Sequence, residues 1–111
     1  MAVPRLNVPL TLETAEREPD GMGGQRLVWR ALGVVYAQML SGAGRLRGAQ
    51  AGAESRLAWR IILRAAPPGD PRRPAPGQRL RSGARLFRID AVAEDGPDGR
   101  YLRINAVEEP A

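Results

Sequence analysis

The chain contains no cysteine, no histidine and no lysine. Without Cys there is no disulfide scaffold, no thiolate nucleophile and no Cys-based zinc site. Without His the commonest general base and the commonest metal ligand are gone. Without Lys neither Schiff-base chemistry nor a phosphate-loop lysine is available. Aromatic residues are scarce at 5%, so exposed stacking platforms for single-stranded nucleic acid are few. Long apolar runs are missing too: the richest window, Ala31 to Leu40, is broken by Gly33 and Gln38 and falls far short of the ~20 residues of a spanning helix. The opening Met1-Ala2-Val3-Pro4-Arg5-Leu6-Asn7 lacks the ~7–15-residue apolar core of a signal peptide. The expectation is a soluble chain made in the cytoplasm. It is expected to be no enzyme, with no cofactor, no metal, no membrane partner and no small-molecule substrate.

What is present is 111 residues with 43% hydrophobic and 26% charged side chains and a net charge of +5, the profile of one ordinary globular domain spanning the chain. Every one of the 17 cations is arginine. A GC-rich genome also yields Arg without Lys, so each Arg carries less functional information than its charge implies. Their placement says more. Between Arg45 and Arg88 there are eleven arginines against two acids, Glu54 and Asp70. The flanks are acidic by comparison, with Glu13, Glu16, Glu18 and Asp20 at one end and Asp90, Glu94, Asp95, Asp98, Glu108 and Glu109 at the other.

Alternation of apolar and polar residues, the signature of half-buried strands, recurs along the chain. Val8, Leu10 and Leu12 predict a short first strand, and Glu18-Pro19-Asp20-Gly21-Met22-Gly23-Gly24 predicts a turn outside regular structure. Gln25 to Leu40 reads as a long extended segment with Leu27, Trp29 and Ala31 on one side and a bend or bulge at Gly33. Beyond it, Val34 and Tyr36 oppose Val35, Ala37 and Met39, so both faces are apolar, and part of this strand is expected to be covered by the core on one side and by a neighbour on the other. In Ser41 to Ser55, Leu46, Ala49, Ala53 and Leu57 have helical spacing, but Gly44, Gly48 and Gly52 each cost a helix ~1 kcal/mol relative to Ala. The segment reads either as a solvated loop or as an arm that orders against a partner. Arg56 to Arg64 is the clearest strand: Leu57, Trp59, Ile61 and Leu63 face one way, and Arg56, Arg60 and Arg64 the other. The stretch from Pro67 to Gly77 holds five prolines and reads as a stiff exposed connection or a PxxP-type ligand. Gln78 to Arg81, Arg85 to Val92 and Arg100 to Glu108 supply the remaining strands. In the second of these, Phe87, Ile89 and Ala91 share one face. The aromatic residues fall mostly at core-phase positions. The fold class is all-β, a small antiparallel barrel or sandwich of five to six strands.

Catalytic constellations are weak. Asp95 and Asp98 fit a hairpin turn better than a calcium loop, which needs a downstream bidentate Glu. Ser41, Ser55 and Ser82 have no base to activate them. The arginines remain: Arg56, Arg60 and Arg64 on one strand face, with Arg45, Arg47, Arg72 and Arg73 on adjoining loops. They read as a solvated face or as contacts to a sugar–phosphate backbone or an acidic subunit.

Taken in order, several segments resemble the head–tail joining (head-closure, or stopper) proteins of tailed bacteriophages and gene transfer agents. They are Leu10-Thr11-Leu12-Glu13, the Asp20–Gly24 turn before Val28-Trp29, Val35-Tyr36-Ala37 and Trp59-Arg60-Ile61-Ile62-Leu63-Arg64. Gly77-Gln78-Arg79-Leu80, Arg85 to Val92 and Arg100 to Ile104 with Glu108-Glu109 follow. The Pro-rich stretch departs from the pattern in being longer and stiffer. The resemblance implies a virion component at the head–tail interface, assembled in the bacterial cytoplasm as a homo-oligomeric ring of six or twelve copies. The ring lies between a portal or adaptor above and a tail terminator below, and encloses packaged double-stranded DNA without reading its sequence. It further implies that residues 41–55 project toward the DNA channel. Arg45, Arg47, Arg56, Arg60 and Arg64 are then channel candidates, and Arg72, Arg73, Glu13, Glu16, Glu108 and Glu109 inter-subunit candidates. The alternative is a free-standing small-barrel nucleic-acid-binding protein; an accessory subunit of a host enzyme and a hydrolase are more distant rivals.

Overall fold

A computed structural model describes residues 3–41, 57–96 and 98–109. Six antiparallel strands account for most of them: β1 (Val8–Pro19), β2 (Gln25–Ser41), β3 (Leu57–Arg64), β4 (Arg79–Ser82), β5 (Arg85–Asp95) and β6 (Tyr101–Glu109). They pair in the order β1-β2-β3-β6-β5-β4, and β4 returns to β1 so that the sheet closes into a barrel. Closure rests on three residue pairs, Thr11–Arg81, Leu12–Leu80 and Glu13–Arg79. It pairs the two ends of the sheet at the barrel, while the far part of the β1–β2 hairpin keeps open edges.

Period-two burial fills the interior. Leu10 and Leu12 from β1, Ala37 from β2, Ile61 and Leu63 from β3, Leu80 from β4, Phe87 and Ile89 from β5, and Leu102, Ile104 and Ala106 from β6 form one cluster. At ~1.5–3 kcal/mol for each large side chain withdrawn from water, these positions dominate the favourable side of folding. Trp59 packs its ring edge-on to Phe87, with centroids 5.9 Å apart. One end of the barrel is closed by polar groups: Glu108 accepts hydrogen bonds from the Trp59 indole at 3.0 Å and from the Arg85 guanidinium at 2.8 and 3.0 Å.

Two bulges set side-chain phase. The expected irregularity at Gly33 is present: the β1–β2 register shifts between Leu12 and Glu13, and Gly33 has φ +149°. A second bulge lies at Asp90, where the β5–β6 register steps from Ile89–Ala106 to Ala91–Asn105. One extra residue reverses every later side chain. Ala91 therefore faces solvent and Val92 packs against the core, the reverse of the unbroken alternation expected for this strand.

Two further expectations are corrected. β1 is twelve residues long and stays paired to Pro19–Gln25, so Glu18 and Pro19 belong to a strand and the turn begins at Asp20. Among the aromatics only Phe87 is fully buried; Trp29 is half-buried on the outer face and Tyr36 is 58% exposed. The Pro-rich connection is mostly exposed and built of successive turns, with Pro74 buried. Asp70 N donates to Pro67 O, Arg73 N to Asp70 O, and Gln78 N to Ala75 O.

Candidate interaction surfaces

The outer surface divides into a basic strip, two internal ion-pair clusters, a projecting ribbon and a groove with an apolar floor and a charged rim. The strip lies on β3 and β6. Arg60 and Arg64 project outward as their phase requires and are exposed. Pairing of Ile62 with Arg103 and of Arg60 with Asn105 brings the exposed Arg103 to the same face, diagonal to Arg60. None of these three arginines forms an ion pair with another described residue. Sequence reasoning missed Arg103, because only the β3–β6 register places it there. Ile62, between Arg60 and Arg64, is 5% exposed. Arg45, Arg47 and Arg56, with nearly all of the 41–55 loop, lie outside the described residues.

Glu13 sits on the outer face of β1 yet is only 5% exposed. Its Oε1 accepts from Arg79 Nε at 2.6 Å and its Oε2 from Arg81 Nε at 2.8 Å, and the Arg79 guanidinium stacks 4.1 Å over the Trp29 ring. Burial alone pushes the Glu13 carboxyl up, but the hydrogen bonds and charges of Arg79 and Arg81 together hold it below the usual carboxylate value. Glu108 is likewise held low, first by Arg85 and also by the Trp59 hydrogen bond, with burial opposing. Both acids are therefore engaged within their own subunit.

The other sequence-derived candidates are spread over the surface. Glu16 pairs with Arg30 at 2.7 Å on one face of the β1–β2 ribbon, and Glu109 ends β6 half-buried. Arg73 donates to the Ala66 carbonyl at 2.7 Å, whereas the exposed Arg72 lays its stem across Gly33. Asp98 lies 3.1 Å from Arg100. Among the described residues no three acidic side chains converge as a metal site would require.

The groove occupies about 630 Å³ where β3 has ceased to pair with β2, its floor apolar at Leu6, Val34, Tyr36, Ala66 and Pro67 and its rim charged at Arg64, Arg72 and Asp70. Val34 and Tyr36 are 49% and 58% exposed. The outer apolar face of β2 thus has no cover within the described chain.

A small closed barrel with a charged strip, internally satisfied ion pairs and an uncovered apolar face has the build of a packing unit within a larger assembly. Comparison with known proteins makes that class specific. A family profile for phage head completion proteins matches residues 1–109. A solved chain from the virion of a native gene transfer agent particle is 46% identical, with a TM-score of 0.80, over 98% of this chain and 100% of that one. No curated protein matches. The chain belongs to the phage head completion protein family, and it is a structural component of the virion.

Proposed function

We propose that copies of this chain form a ring at the head–tail interface. The ring extends and closes the DNA channel beneath the portal and adaptor and offers the tail its docking surface. The observation that carries this reading is the 46% identity, over nearly the full length of both chains, to a component of a gene transfer agent virion. The surface chemistry supports it. Arg60, Arg64 and Arg103, with Arg45, Arg47 and Arg56 on or beside the 41–55 loop, supply cations that meet phosphates regardless of sequence. Arg72 and Arg73 on one side and Glu109 elsewhere provide opposite charges for the two unlike faces of a head-to-tail ring, where complementarity fixes register.

The test is complementation of a strain lacking the gene with a chain missing residues 44–53. The shortened chain is expected to melt as the parent does and to join particles, whose heads fill but lose DNA to nuclease. Full nuclease protection with the shortened chain removes the loop from the account; full protection without the gene removes channel closure altogether.

The basic strip favours one other reading, a free-standing nucleic-acid-binding barrel. It requires the purified monomer to bind short duplex DNA tightly, with affinity falling steeply as salt rises.

A further inference from the structure

The β1–β2 hairpin continues well past the barrel. β4 pairs with β1 only through Thr11–Glu13, and β3 with β2 only through Ala37–Ser41. Thr14 to Pro19 and Gln25 to Arg30 therefore pair with each other alone, a two-stranded ribbon ~20 Å long at ~3.3 Å per residue. Ribbons of this kind are marginal in water unless something packs on them. Here Glu18–Arg26 and Glu16–Arg30 ion pairs brace one face. The other face exposes Leu27, at 53%.

The tip is held in one shape. Asp20 Oδ1 accepts from the backbone N–H of Met22 at 2.8 Å and of Gly24 at 3.1 Å, and Asp20 N donates to Gly24 O. Gly21 and Gly23 take φ +83° and +85°, a conformation glycine adopts without a Cβ penalty. The effect is to present Met22, 88% exposed, as a single apolar knob beside the Asp20 carboxylate. Met is the side chain best able to mould itself to an irregular apolar site.

We propose that this tip docks in the groove of a second copy of the chain, Met22 entering between Tyr36 and Pro67 and Asp20 facing Arg64 and Arg72. The knob matches the apolar floor, and the two rim arginines outnumber Asp70, whose Oδ1 already accepts from the Arg72 backbone N–H at 2.8 Å, so an incoming acid meets a net positive rim. The tip cannot reach its own groove, because the paired strand between Gln25 and Val34 holds the two ~30 Å apart. The contact is heterologous, knob to a different surface, and so builds closed rings or open chains rather than simple pairs. The inference rests on the ring reading above and specifies its interface.

The absence of cysteine allows a clean test. Particles are prepared with Met22→Cys and Val34→Cys together, with each single variant as control, and copies per particle are counted by mass spectrometry. Under mild oxidation the double variant is expected to yield a ladder of disulfide-linked multimers of this chain, and the singles none. Met22→Asp is expected to lower incorporation about tenfold, since ~1.4 kcal/mol of lost knob burial corresponds to that factor. Asp20→Asn, which keeps the acceptor that shapes the turn, is expected to weaken incorporation and flatten its salt dependence. Many copies per particle with no ladder and no effect of Met22→Asp overturns this interface while the ring stands. A link from Met22→Cys to a different virion protein also overturns it. A single copy per particle overturns both readings.

Discussion

Replacing Phe87 with alanine lowers the stability of the purified chain by about 3–5 kcal/mol, the range for a large buried aromatic cut to a methyl group. Phe87 is fully buried at the centre of the barrel and touches three kinds of neighbour. Its pair partner across β4 is Leu80, Trp59 meets it edge-to-face, and the Arg85 guanidinium lies 5.1 Å from its ring. A closed barrel cannot collapse into the void without disturbing its register, so little of the cavity cost is relieved. Domains of this size have only ~5–15 kcal/mol in total. The melting temperature is then expected to fall by roughly 12–20 °C, at ~4 °C per kcal/mol. Tyr36→Ala provides the contrast: on the exposed outer face it is expected to change stability by no more than about 0.5 kcal/mol. Equal losses from the two variants would show that the interior has been misassigned.

The second large effect is at Glu13. Glu13→Ala is expected to cost about 3 kcal/mol, because it leaves Arg79, whose side chain is 18% exposed, without a counter-charge. Arg81, at 42%, can turn to water and adds little. Glu13→Gln, which keeps an acceptor for one guanidinium, is expected to cost less. The pH dependence has a definite sign. The folded Glu13 carboxyl titrates below its ordinary value of 4.5, so in acid the unfolded chain takes up the proton first. The stabilisation is whole above about pH 4.5 and is lost as pH falls through the lower folded value. Glu108, also held low, contributes in the same direction. Urea melts between pH 3 and 6 should therefore show an acid slope that becomes shallower in Glu13→Ala and shallower again when Glu108→Ala is added. An unchanged slope would remove both acids from the account.

Much of the fold can be read from the chain because burial in a barrel repeats every second residue. β3 and β6 show why: Ile61 and Leu63, then Leu102, Ile104 and Ala106, alternate without interruption and all point inward. Gly33 was legible as a bulge because glycine inside a strand marks one. Asp90 was not, since nothing in Arg88-Ile89-Asp90-Ala91 signals an inserted residue; the bulge exists because β5 must keep Phe87 and Val92 on the same core. The far half of β1 was hidden by Pro19, which reads as a breaker but is tolerated where the strand end needs no amide donor.

The interaction surfaces were less legible, for a topological reason. Glu13 is separated from Arg79 and Arg81 by more than sixty positions, and only closure of β4 onto β1 brings them together. An acid set by composition among the acidic flanks is thereby consumed inside the subunit, as is Glu108 at the barrel mouth. Arg103 joined Arg60 for the same reason. What remained visible from the sequence was the two-sided apolar character of Val34 to Met39, one side of which proves to be the uncovered groove.

The most direct test is a three-dimensional reconstruction of the neck of purified particles carrying this chain. Repeated copies of the barrel encircling the DNA axis just below the portal are the predicted result. A lone copy, or copies scattered over the capsid shell away from that vertex, would contradict the account.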